Sequence, residues 1–239
     1  MKSTLGFDPR DVPWTVSPGH WPALPKEWLM ADQLKRVFEN PPAWSPELQH
    51  EPALGHRPPR AAAVLIPIVL RGQQGSEPHL LLTQRTMHLS SHAGQIAFPG
   101  GKVDEEDTSF EAAALREAQE EVGLSPQFVE IIGTMPSYVT GTAFHITPVV
   151  GLVSPAHVLA PNDFEVAAVF EVPLSFLMDP ANHRLHHWTR DGVMRQWYSM
   201  PYNEPHALTT GSANERFIWG ATAGMIRNFY RFLLAANSL

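Results

Sequence analysis

Three carboxylates, Glu117, Glu120 and Glu121, fall within one turn of a predicted helix in the stretch FEAAALREAQEEVGL. At roughly 100° per residue they share an arc of about a third of the circumference. The boundaries of this helix are written into the chain. Thr108 followed three residues later by Glu111 is a capping-box pattern, and Gly123 stands where a left-handed stop belongs. Phe110, Ala114, Ala118 and Val122 form the apolar stripe. The acids sit at its margin, whereas Gln119 and Arg116 point to the far side. Like charges one turn apart cost a few tenths of a kcal/mol even in water, and more at a groove edge. A hard divalent cation with oxygen ligands, Mg²⁺ or Mn²⁺, would compensate them. A bare EAQEE is also what an ordinary solvated helix shows, so the flanking elements have to decide.

Those elements are strands and a glycine loop. RAAAVLIPIVL from Arg60 reads as a buried strand, RGQQGSEP as a polar turn and HLLLTQR as the returning strand of a hairpin. The chain then runs through TMHLSSHAGQIA into Phe98-Pro99-Gly100-Gly101 and on to the helix. His88 and His92 lie in this loop, with no helical signal to bring them together as a zinc pair. After the helix, FVEIIGTMPSYV and FHITPVVGLV read as two strands with Gly141 in the turn. PNDFEVAAVFEVPLSFLMD gives a loop, a strand and a short helix near Pro173. Glu165, at the end of that loop, is either a solvated strand-edge acid or a carboxylate delivered to the site. RLHHWT and MRQWYS flank an Asp-Gly hairpin turn, and Ile226, Phe229, Tyr230 and Leu233 mark an amphipathic C-terminal helix. Strands on either side of a central helix, with a further helix at the end, imply an α/β (α+β) domain with a mixed sheet between helices.

Arg116-Glu117-x-x-Glu120-Glu121-x-Gly123-Leu124 after a Gly-Gly loop resembles the Nudix box. The spacing from Gly101 to Arg116 is one residue longer than the family's, so the intervening glutamate position falls on Thr108, with Asp107 beside it. The resemblance implies the Nudix-type α/β/α sandwich and hydrolysis of a nucleoside diphosphate linkage. It implies metal ions held by Glu117, Glu120, Glu121 and the Gly101 carbonyl, neutralising the diphosphate and activating a water. Arg116 would orient a glutamate. The general base would be a box glutamate, Glu120 or Glu121, or else Glu165 from its loop. A narrower resemblance, to the coenzyme A diphosphatase branch, covers about Arg60 to Phe232. It rests on LLTQR from Leu81, on His88, His92, Gly94 and FPGG, on AAAVLIPIV, and on FIWGATAGMIR. It implies coenzyme A or its acyl or disulfide derivatives as substrate, 3′,5′-ADP and (acyl-)4′-phosphopantetheine as products, and Arg85 as a cationic substrate contact. Thr86 stands where Ser or Ala is usual, and Ser90 where an arginine is usual. The second departure removes a bidentate phosphate contact and favours another diphosphate, such as ADP-ribose or a dinucleotide. A ligand sensor without catalysis would have lost box carboxylates, and all three are present.

The remaining composition narrows the partners. A net charge of −7 over 239 residues argues against a nucleic-acid polymer, while a local metal site still admits a small anionic ligand. The absence of cysteine removes disulfides and thiolate chemistry. No basic-then-apolar leader and no apolar run of membrane length are visible, so the expected setting is the cytoplasm, away from membranes. Residues 1–60 are rich in proline and carry Trp14, Trp21, Trp28 and Trp44. They read as an extended strap with one helix (Trp28, Leu34, Val37 and Phe38 at helical spacing), ahead of a hydrolase domain at 61–239. The strap packs on that domain or on a second subunit, the latter making a homodimer.

Overall fold

The computed structural model describes residues 7–16, 21–51, 58–89, 92–190, 193–204 and 215–237. Ser90 and the Asp191-Gly192 turn lie outside them. In chain order the elements are β1 (Trp14–Val16), α1 (Ala31–Glu39), β2 (Arg60–Arg71), β3 (Glu77–Arg85), β4 (Ile96–Ala97), β5 (Gly100–Lys102) and α2 (Phe110–Val122). They continue with β6 (Val129–Thr134), β7 (Tyr138–Val139), β8 (Phe144–Val153), β9 (Val166–Pro173) and α3 (Leu174–Leu177). The last are β10 (Arg184–Arg190), β11 (Val193–Asn203), β12 (Glu215–Trp219) and α4 (Gly220–Ala236).

Strand β2 is the spine of an eight-stranded mixed sheet. It runs parallel to β8, from Arg60↔Phe144 to Val69↔Val153, and antiparallel to β3 and β5. Strand β9 adds to the other side of β3. Along β2 the side chains alternate between two cores. Ala63, Leu65 and Val69 pack with Ala113, Ala114, Ala118 and Val122 of α2. Val64, Ile66 and Ile68 join α1 and α4 on the opposite face. A strand covered on both faces reads as an unbroken apolar run, which is why AAAVLIPIVL shows no period of two. The result is an α/β/α sandwich. A second, four-stranded sheet, β1-β10-β11-β12, packs through β11 and β12 on α4. Among the described residues no helix is long and apolar enough to cross a membrane.

Because that second sheet covers it, α4 departs from the amphipathic helix expected. It is buried on almost every side, including Arg227 and Asn228. The Arg227 guanidinium lies 5.1 and 5.3 Å from the rings of Tyr198 and Tyr230. Its Nε donates to Glu47 Oε2 at 2.9 Å, and Nη1 donates to His183 Nδ1 at 3.2 Å. His183 can accept there because burial pushes its pKa down to about 4 and its Nε2–H is committed to the Leu177 carbonyl at 2.8 Å. Tyr198 Oη donates to Glu47 Oε1 at 2.6 Å. The next residue, Leu48, exchanges both backbone hydrogen bonds with the Asn228 side chain.

The strap is thus fastened to α4, and its Leu24, Leu29, Leu34 and Val37 enter the α4-side core. Trp28 and Trp44 pack against that core as expected. Trp14 and Trp21 do not, and remain 45% and 40% exposed. Each is instead covered by a guanidinium, Arg184 at 4.4 Å and Arg231 at 3.8 Å, so cation–π contact takes the place of burial.

Removing Glu47 would leave a fully buried arginine without its counter-charge. Glu47→Ala should lower the stability of the chain by about 3 kcal/mol or more in urea unfolding. A loss below about 1 kcal/mol would show that Arg227 finds compensation elsewhere.

Candidate active site

Helix α2 carries the predicted acids, but it starts one residue later than the capping pattern implies. Ser109, not Thr108, is the N-cap. Its backbone is extended and its hydroxyl accepts from the Ala112 N–H at 3.2 Å. Phe110 consequently occupies the first helical position and is exposed, outside the expected stripe. The buried face is Ala113, Ala114, Ala118 and Val122, so mostly methyl groups separate the helix axis from the sheet. Gly123 ends the helix at φ 69°, a conformation where any other residue would be strained, and its N–H bonds back to the last turn.

The same closeness governs the loop opposite. A Cβ on Gly100 would lie 2.6 Å from Val64 Cα, so only glycine lets β5 pair with β2 here. The Gly100 N–H points across to the helix and donates to Glu121 Oε2 at 3.2 Å. A Cβ on Gly101 would collide with the Glu117 carboxylate, lying 2.6 Å from Oε2. Two successive helix carboxylates, one turn apart, therefore rest on two successive glycines.

Glu121 is the most enclosed of the three helix acids, with a side chain only 6% exposed. Desolvation pushes its pKa up to about 7; the Gly100 N–H and the Arg85 guanidinium pull the other way, while Glu117 and Glu165 raise it further. Arg85 Nη1 reaches Glu121 Oε1 at 3.4 Å. Glu117 is also raised by burial, against the opposing effect of Arg116. Glu120 is 59% exposed, at the rim of the arc.

Arg116 does not point to the far side of the helix. It turns back along the acids, donating through Nη1 to Glu117 Oε1 and Glu120 Oε2, both at 3.1 Å. Its other nitrogens grip Asp107 at 3.0 and 2.9 Å, and Nη2 also reaches the Lys102 carbonyl. Asp107 is thus the loop acid, and the Arg116 fork holds its carboxyl below the usual range. The added loop residue moved the position read from spacing onto Thr108. The adjacent Asp107 is what the guanidinium selects, because a bidentate carboxylate matches its planar fork.

Glu165 arrives from the far side of the sheet edge. The loop before it is tied to the end of α2, with Ala160 N–H donating to Val122 O and Asn162 N–H to Glu121 O, each at 2.9 Å. The Glu165 carbonyl accepts from the Thr86 N–H at 2.9 Å, next to Arg85. These backbone bonds set Glu165 beside Thr86 and Arg85 and near the end of α2, and its charge adds to the upward push on Glu121. His88 and His92 form no pair. His92 bonds Gln95, and His88 lies against Phe164.

Among the described residues no three acidic or histidine side chains converge as a ready-made metal cage. The donor set nevertheless fits a hard cation that keeps several waters and takes one or two carboxylates. It offers oxygens only, two of its carboxylates are held partly desolvated, and the glycine at 101 lets the Glu117 carboxylate lie where a methyl would otherwise be.

Comparison with known proteins gives the family. Residues 59–208 match the NUDIX domain family. "Uncharacterized Nudix hydrolase NudL" of Escherichia coli O7:K1 is 45% identical over 183 residues, covering 76% of this chain and 85% of that protein. The protein of that name from Shigella sonnei is 45% identical over 200 residues, covering 83% and 92%. Among solved structures, the Nudix hydrolase RenU of M. smegmatis aligns at 25% identity with a TM-score of 0.41, covering 50% of this chain and 73% of its own. Nudix hydrolases generally act with divalent metal ions, in keeping with the oxygen-rich arc of α2. With the family matched over most of its length and relatives at 45% identity, the chain belongs to the Nudix hydrolases and is a diphosphatase.

Proposed function

We propose that this diphosphatase cleaves coenzyme A or its acyl or disulfide derivatives, giving 3′,5′-ADP and the (acyl-)4′-phosphopantetheine half. The observation that carries this reading is where the LLTQR…FPGG stretch lies. Its Arg85 reaches Glu121, and its Gly100 and Gly101 meet the two helix carboxylates. The segment that resembles the coenzyme A branch therefore forms the wall of the site. The reading with another diphosphate as substrate, ADP-ribose or a dinucleotide, is favoured by Ser90 in place of the usual arginine.

In this proposal Glu117, Glu121 and the Gly101 carbonyl hold Mg²⁺ or Mn²⁺, with Glu120 assisting from the rim. The ion would supply charge neutralisation of the diphosphate and activation of the attacking water. The protein groups position and exchange protons around it. Arg116, braced by Asp107, keeps Glu117 and Glu120 in register with the glycine loop. Arg85 is free to exchange its long contact with Glu121 for a phosphate oxygen, where a charge-assisted pair is shorter and stronger. Glu120 or Glu121 takes the proton of the attacking water, with Glu165 as the alternative acceptor. Phosphoryl chemistry asks for little more than such placement and charge.

With Mg²⁺ or Mn²⁺, purified protein should release 3′,5′-ADP from coenzyme A, and Glu121→Gln should lower the rate by about a hundredfold or more. Turnover of ADP-ribose but not coenzyme A would replace the first reading by the second. Gly101→Ala should weaken Mn²⁺ binding by about tenfold or more in a metal titration, because its methyl displaces Glu117. Unchanged affinity would remove Gly101 and Glu117 from the proposed site.

The metal-free protein should also show a specific pH dependence. Folding raises the Glu121 pKa from the ordinary 4.5 to about 7, so its proton is bound more tightly in the native state. The associated stability is complete below about pH 4.5 and is lost as pH rises through about 7, on the order of 3 kcal/mol in all. Urea midpoints across that range should fall in the wild type and lose this component in Glu121→Gln. Parallel profiles would place the titration elsewhere.

A further inference from the structure

Phe164 is 66% exposed, yet both its backbone N–H and its carbonyl are hydrogen-bonded. Its N–H donates to Asn162 Oδ1 at 3.1 Å, and its carbonyl accepts from Thr86 Oγ1 at 2.9 Å. On either side, Asn162 is tied to Glu121 and Glu165 to Thr86 by backbone bonds of 2.9 Å. Exposure of this ring is therefore set by a clamp between the end of α2 and the end of β3, and not by a loose loop. The ring lies 4.8 Å from the His88 imidazole, tilted by 55°, and exposed Met87 follows directly on Thr86. The Thr86 hydroxyl is what fixes the Phe164 carbonyl.

The chemistry of the surroundings selects what this ring can take. Glu117, Glu120, Glu121 and Glu165 make the adjacent locale strongly acidic, so the phosphates of a substrate are confined to the cation and Arg85. An uncharged planar group has no such restriction. Phe164 lies between Asn162, bonded to Glu121, and Glu165, bonded to Thr86 beside Arg85, so its ring stands at the margin of the site. The geometry points to Phe164, backed by His88, as the platform on which the nucleobase of the diphosphate substrate stacks. This inference rests on the nucleotide-diphosphatase reading above and adds a specificity-determining residue to it. Stacking of a base on an aromatic side chain is worth a factor of roughly 5 to 150 in affinity.

The test separates the base from the phosphate. Binding of 5′-AMP and of ribose 5-phosphate is measured calorimetrically in the presence of Mg²⁺, for the wild type and for Phe164→Ala, Phe164→Trp and Val158→Ala. Val158 is an exposed apolar residue of the same loop and serves as control. The wild type should prefer 5′-AMP by about tenfold or more. Phe164→Ala should abolish that preference, while Phe164→Trp and Val158→Ala keep it. Equal wild-type affinities for the two probes, or an unchanged preference in Phe164→Ala, would overturn the platform. So would a loss in Phe164→Ala confined to 4′-phosphopantetheine, since the ring would then serve the other half of the substrate. Because the readout is binding, failure of the diphosphatase reading shows separately, as absence of phosphoester products from any dinucleotide or coenzyme substrate.

Discussion

The contact between α2 and the β2–β5 edge sets what the site can be. Alanine methyls on the helix and two glycines on the strand let backbones approach until carboxylates meet peptide groups directly. Every other property of the site follows from that closeness. Glu121 is desolvated by this packing, and among the described residues it is met by the Gly100 N–H and Arg85. Glu117 is held against Gly101 because no side chain intervenes. Interiors this dense leave little freedom to adjust, so the positions of the acids are inherited from the packing of the sheet.

Charge is then distributed in a graded way across the arc. The innermost carboxylate is the most costly to ionise, and the outermost is bathed in solvent. Arg116 spreads one positive charge over Asp107 of the loop and Glu117 and Glu120 of the helix, which offsets the repulsion among them. Arg85 faces the opposite end with a single long contact. The carboxylates are held most firmly along the Arg116 side of the arc and most loosely at the Arg85 contact.

How much of this was legible in the sequence depends on the range of the interaction concerned. The helix, its glycine stop and its three acids are local, and were readable from spacing alone. The β2–β3 hairpin and the doubly buried β2 were readable from composition. The cap slipped by one residue because Ser109 and Thr108 are chemically equivalent there, and only the loop path decides between them. The orientation of Arg116 was misread because helical angle places Cα, whereas a guanidinium on a long stem goes to whichever carboxylate the loop presents. The turn after β7 shows the same limit. Its left-handed residue is Ala143, at φ 66°, and Gly141 instead gives its N–H to Glu51 Oε2 at 2.9 Å. The burial of α4 was not readable at all, since it depends on a second sheet that joins a strand from residues 14–16 to strands from residues 184–219.

The fastening of Glu47 and Leu48 to Arg227 and Asn228 joins residues 180 positions apart. Closing a loop of that length yields no reward until nearly the whole chain between is ordered, so such contacts belong to late steps of folding. On the ribosome, the strap emerges long before the helix that receives it. In the interval its apolar helix face and Glu47 are without their partners, and the core lacks one wall. The order of synthesis thus separates emergence of the acid arc and its glycine loop, which lie within residues 60–170, from closure of the back of the molecule. A nascent chain would acquire its acid arc first and its enclosure last.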